Sequence, residues 1–142
     1  MLSSPCLKIL LGTLITFACG ATAVADAITV TDVAGREITL DAPAERVILG
    51  EERQIYLLGL LEPEAPFAHV VGWREDFSQA DPDNYARYAE RFPEIEAIPT
   101  FGGFKDGTFD VEQAASLNPD VVLMNIEAKA ATEDAAYDDK LA

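Results

Sequence analysis

The chain has 142 residues, with ten Lys and Arg against 25 Asp and Glu, a net charge of -15, one histidine and two cysteines. A surface of that sign repels phosphate backbones and anionic lipid, which argues against nucleic-acid and membrane-surface roles. The length suits one buried core, and because Cys6 and Cys19 both lie near the start, the rest of the chain has neither a disulfide framework nor thiol chemistry.

The N-terminus reads as an address. Lys8 precedes an apolar run from Ile9 to Ala18, and Ala23-Val24-Ala25 and Ala25-Asp26-Ala27 both give the small-x-small pattern of signal peptidase. Residues 1–27 are therefore predicted to be a cleavable signal peptide, with the mature protein in the periplasm. The run falls short of the roughly 20 apolar residues of a membrane span. Cys19 offers lipid anchoring as an alternative, although Thr16 stands where an aliphatic residue is usual. Lys8 and Asp26 are the charged residues of this segment, so nine basic and 24 acidic side chains remain and the net charge is unchanged.

Ile28-Thr29-Val30 and Glu37-Ile38-Thr39-Leu40 alternate around Gly35, which predicts a β-hairpin. Arg46-Val47-Ile48-Leu49 follows Pro43 as a short buried strand of parallel type. Ile55, Leu58 and Leu61 predict a helix over Arg53 to Leu61, ended by Pro63 and Pro66, and His69 to Gly72 is the next strand, with His69 a packed core residue. Trp73 to Ala80 reads as a polar loop. Asp81-Pro82 opens a second helix carrying Tyr85, Tyr88, Ala89 and Phe92 on one face, and Ile95 to Thr108 reads as irregular. Asp110 with Gln113 caps a helix from Val111 to Leu117, Asn118-Pro119 stops it, and Val121 to Met124 is a third core strand. An acidic, alanine-rich stretch from Glu127 to Ala142 predicts a frayed helix. The alternation is that of an α/β, Rossmann-like three-layer lobe with at least three parallel strands, over residues 28–142.

In such sheets ligands bind beyond the carboxyl ends of the strands, where helix N-termini and loop amides converge. That rule selects Gly50 to Arg53, Trp73 to Phe77, Phe101 to Thr108, and Asn125 to Glu127. Arg53, Arg74 and Lys105 bring three of the nine basic residues there, as counter-charges for an anion, and Trp73, Phe77, Phe101 and Phe104 add flat apolar surface. Each has a plainer role: Trp73 can pack over the sheet end, Arg74 can pair with Glu75 or Asp76, and Phe101-Gly102-Gly103-Phe104 can be a turn with its rings tucked inward. Glu51 and Glu52 read as solvated. With no nucleophile turn, no phosphate-binding or dinucleotide glycine pattern, and one histidine, an enzyme is not expected, nor is a zinc or copper centre or an intrinsic cofactor.

Thr31 to Leu40, Pro43-Ala44-Glu45-Arg46-Val47-Ile48, Val70-Val71-Gly72 and above all Gly107 to Val122 resemble, in order and spacing, the Fe/B12-type periplasmic substrate-binding proteins of ABC importers. The resemblance implies a monomeric binding protein that delivers a ferric-siderophore type chelate, or less readily cobalamin or haem, to a membrane permease. By position it places ligand contacts on Trp73, Arg74, Phe101, Gly102, Phe104, Lys105 and Asn125, beside the Arg53 that the sheet rule supplies. It places permease docking on Glu112. Such proteins have two lobes joined by a long helix, and Ala142 falls where that helix would begin, so a truncated N-terminal lobe without its second lobe is expected. An exported sensor or interaction domain derived from such a lobe is the alternative.

Overall fold

The computed structural model describes residues 27–129. The expected signal peptide, with Cys6 and Cys19, and nearly all of the terminal helix expected over 127–142 lie outside the described residues; residues 126–129 are helical.

Strands β1 (Ile28–Thr31) and β2 (Glu37–Leu40) form the predicted antiparallel hairpin, with Ile28 opposite Leu40. Its turn closes on the Asp32 carboxylate, which accepts the amides of Ala34 and Arg36 at 2.8 and 2.9 Å, and Gly35 supplies the φ of 80° that the reversal needs. These bonds from Arg36, first among the causes, hold the Asp32 carboxyl below the usual carboxylate range.

A parallel sheet follows, in the order β5-β4-β3-β6, from β3 (Val47–Leu49), β4 (Val70–Arg74), β5 (Thr100–Phe101) and β6 (Val121–Leu123). It is connected through α1 (Gln54–Leu61), α2 (Phe77–Ala80), α3 (Pro82–Arg91), a 3-10 turn at Pro93–Ala97, and α4 (Val111–Ser116). Short β-branched runs form the central strands because both sheet faces are covered. Leu49, Ile55, Phe67, Val70, Trp73, Phe77, Phe92 and Ile95 fill one face, against α1, α2 and α3. Ile48, Phe101, Phe104, Phe109, Val111 and Ala114 fill the other, against α4. The three-layer lobe read from the sequence is present, with a fourth strand. The predicted caps are also found: Asp81 accepts from the Asn84 amide at 3.3 Å and Asp110 from the Gln113 amide at 2.9 Å.

The structure departs from the sequence reading in several places, beginning with Trp73 to Ala80, read as a polar loop, whose last four residues form α2 with Phe77 buried. Strand β4 does not stop at Gly72 but runs through Trp73 and Arg74, because Thr100 and Phe101 pair beside them as β5 within the stretch expected to be irregular. A register shift between Val47 and Ile48 also sets Gly72 opposite Ile48 and Trp73 opposite Leu49. Such an irregularity changes which face a side chain takes, and it turns Trp73 to the same core as Val70. His69, expected in the core, precedes the strand and is exposed; its carbonyl accepts the Val47 amide at 2.7 Å. Among the described residues no helix is long and apolar enough to cross a membrane.

Candidate functional site

The amide of Gly50 donates to the carbonyl of Leu123 at 2.8 Å, so the chain leaves β3 alongside the end of β6. Glu51 and Glu52 therefore emerge beside Asn125, and β4 delivers Arg74 to the same rim from its other side. Glu51 is only 9% exposed, which corrects the expectation that it is solvated. A carboxylate so enclosed needs partners, and among the described residues it has three. Asn125 donates Nδ2–H to Oε1 at 2.6 Å, Arg53 donates Nη2–H to Oε2 at 3.0 Å, and Arg74 Nη1 lies 3.7 Å from Oε1.

Arg74 continues the network, with its Nε 2.9 Å from Asp76 Oδ2, while Arg53 Nε lies 3.6 Å from Glu52 Oε1. Burial pushes the Asp76 carboxyl up to about 6, and the neighbouring Glu52 carboxyl adds to the rise. Lys105 Nζ pairs with Glu127 Oε2 at 2.6 Å, which holds the Glu127 carboxyl below its usual value. The Gly102–Gly103 turn lies over this network: a side chain built on Gly103 would come within 3.1 Å of the Arg74 guanidinium.

The rim thus brings together Arg53, Arg74, Lys105 and Asn125 from the loops chosen by the sheet rule, with Glu51, Glu52, Asp76 and Glu127 from the same loops, to which the sequence reading gave no part in binding. The only signal for Glu51 and Glu52 was their place in a loop directly after a core strand. The three cations are not idle counter-charges, since each already faces a carboxylate.

The aromatic side chains are a correction. Trp73, Phe101 and Phe104 are 3%, 2% and 4% exposed, so they are core residues here and not an open platform for a guest. Trp73 packs edge-on to Phe67 and Phe77 at centroid distances of 5.8 and 5.7 Å and lies over Tyr85 at 6.5 Å. Phe104 stacks on Phe109 at 4.1 Å. Gly102 serves the turn itself, because a Cβ there would collide with Thr108 Oγ1 and meet the Thr108 carbonyl at 2.6 Å. Glu112 stands apart from the rim, exposed in the first turn of α4. Among the described residues no three His, Cys, Asp or Glu side chains converge as a group able to hold a metal ion.

No protein-family pattern and no curated protein matches this chain. Among solved structures, the TroA-like periplasmic binding protein FepB of Veillonella parvula matches with a TM-score of 0.70 and 31% identity, over 80% of this chain and 34% of that one. This chain shares the fold of one lobe of that TroA-like periplasmic binding protein. The same lobe matches the molybdate-binding MolA of Haemophilus influenzae, solved with molybdate, at a TM-score of 0.54 and 21% identity, over 76% of this chain and 32% of that one. It also matches CeuE of Helicobacter pylori, solved as a Ni-His complex, at 0.51 and 21%, over 75% and 33%. At such identities the last two speak for the fold alone. The lobe spans about a third of the length of the structures it matches.

Proposed function

We propose that this lobe belongs to the periplasmic substrate-binding component of an ABC importer, exported by a cleavable signal peptide, which captures a ferric-siderophore type chelate and delivers it to the membrane permease. The observation that carries the reading is the convergence of Arg53, Arg74 and Asn125 around Glu51 at the carboxyl ends of β3, β4 and β6. Ligands of open α/β sheets are held at such a rim. An anionic chelate is met there by the Arg53 and Arg74 guanidinium groups, and the Asn125 amide adds a neutral hydrogen-bonding group. The exposed Glu112 carboxylate is suited to arginines of the permease, away from the ligand.

Calorimetric titration of the full chain tests the ligand class. Ferric siderophores are expected to bind, with haem, cobalamin, molybdate and Ni-histidine as competing probes; a preference for any of those four over every ferric siderophore would replace the chelate reading. In the docking test, the chain is expected to co-purify with its permease, and Glu112→Lys to abolish the complex. Retention of the complex by that variant would remove Glu112 from the interface.

A further inference from the structure

We infer that Glu51 is the positioning residue of this rim, the group that fixes Arg53, Arg74 and Asn125 as one recognition surface without itself contacting the ligand. The inference deepens the proposed function and rests on it for the ligand arm of its test.

Side chains from the loop after β3, the end of β4 and the segment after β6 meet on the Glu51 carboxylate, whose side chain is 11% exposed, whereas that of Arg53 is 71% exposed. The Arg53 guanidinium lies between Glu51 at 3.0 Å and Glu52 at 3.6 Å. The main chain of Glu51 is itself held, because its amide donates to Gln54 Oε1 and its carbonyl accepts the Gln54 amide, both at 3.2 Å. The carboxylate thus projects from a fixed base. Asn125 is gripped from two sides: Nδ2 donates to Glu51 Oε1 at 2.6 Å, and Oδ1 accepts the Ala128 amide at 2.9 Å. The first contact decides which face of the amide points at the rim, and the second joins the same side chain to the helical turn over residues 126–129. Holding donors in place before a ligand arrives lowers the entropy that binding must overcome.

A different role for Glu51 makes the opposite prediction. Were it only a counter-charge, it would compete with an anionic ligand, and its neutralisation would tighten binding. As a positioning residue, its neutralisation loosens Asn125 and both arginines and weakens binding.

The experiment compares the full chain with Glu51→Gln, Glu51→Asp and Glu64→Gln. The last removes one charge from an 88% exposed carboxylate that pairs with Arg91, so it controls for net charge. The first readout uses no ligand: side-chain NMR of the Asn125 amide and of the Arg53 and Arg74 Nη–H groups, which face Glu51. Both Glu51 variants are expected to speed proton exchange at these groups, and Glu64→Gln to leave it unchanged. The second readout is calorimetric affinity for a ferric tris-catecholate. Both Glu51 variants are expected to bind about tenfold more weakly, the scale of one charge-assisted hydrogen bond. Equal or tighter binding by Glu51→Gln, or full affinity in Glu51→Asp, which keeps the charge but not the reach, overturns the inference. If the unmodified chain binds no ferric chelate, the proposed function fails, and the NMR signals alone decide: unchanged exchange in both Glu51 variants overturns the positioning role, and faster exchange supports it.

Discussion

The carboxylate of Asp120 accepts the backbone amides of Glu45 and Arg46, each at 2.9 Å, so the residue that opens β6 holds the residues that open β3. Arg46 returns the contact, donating from its guanidinium to the carbonyls of Leu117 and Asn118 at the end of α4. Two of the segments that carry the family resemblance are therefore fastened to each other at the amino ends of the strands, opposite the candidate site. Their residues serve the sheet, not the ligand.

Asp120→Ala removes two charge-assisted bonds at a partly solvated position. It is expected to cost about 1–3 kcal/mol, read as a lower urea midpoint with an unchanged m-value. Chelate affinity of the folded fraction should not move. A midpoint equal to that of the unmodified chain would show that the two strand starts do not depend on this carboxylate.

Trp73 is the only tryptophan and sits in the aromatic core, so its emission reports the fold. The native spectrum is expected to be blue-shifted and resistant to iodide quenching, with a red shift on unfolding. Trp73→Ala should cost about 3–5 kcal/mol, as for other large core truncations, which is a large share of the stability of a small domain. Iodide quenching of native Trp73 to the level seen in urea would contradict its packing against Phe67 and Phe77.

Asp76 makes the stability pH-dependent with a defined sign. Its folded-state value of about 6 lies above the ordinary 3.8, so the folded protein holds this proton more tightly than the unfolded chain. The group's contribution is therefore fully present below about pH 4 and is lost as pH rises through about 6. Asp76→Asn, which stays neutral, should be more stable than the unmodified chain above pH 6, with the gap closing toward pH 4. Thermal midpoints of the two proteins across that range measure this, and a constant gap would place no raised titration at Asp76.

Gly102→Ala tests the turn above Arg74. The added methyl meets Thr108 backbone as well as its side chain, so the Thr108 strand of the loop must shift and the Gly103 amide loses its 3.0 Å bond to Thr108 Oγ1. Overpacking of this kind costs about 1–3 kcal/mol. Chelate binding is expected to weaken with it, because the same loop covers Arg74. Unchanged stability and affinity would show that the loop yields freely.

The fold was largely legible in the sequence because its signals are local. β-Branched runs marked β3, β4 and β6, and Asp81 and Asp110 marked the starts of α3 and α4. Strand β5 was not legible, since two residues have no periodicity and pair only because β4 lies beside them. The loops that form the rim could be chosen from the sheet rule alone, but the direction of their side chains could not. Trp73 turns inward through a register shift between neighbouring strands. Glu51 is enclosed through a bond to Asn125, 74 positions away, which no local pattern encodes.

The placing of β3 between β4 and β6 has a consequence for how the chain folds. The β3–α1–β4 unit closes over a short stretch, whereas the β6 side of β3 is satisfied only by residues some 74 positions later. Contacts at that separation cost loop-closure entropy before they return anything, which slows folding. During synthesis the first unit leaves the ribosome with one side of its central strand bare. That interval is when the nascent polypeptide is most open to mispairing with a neighbour, and when a holding chaperone has the most to shield.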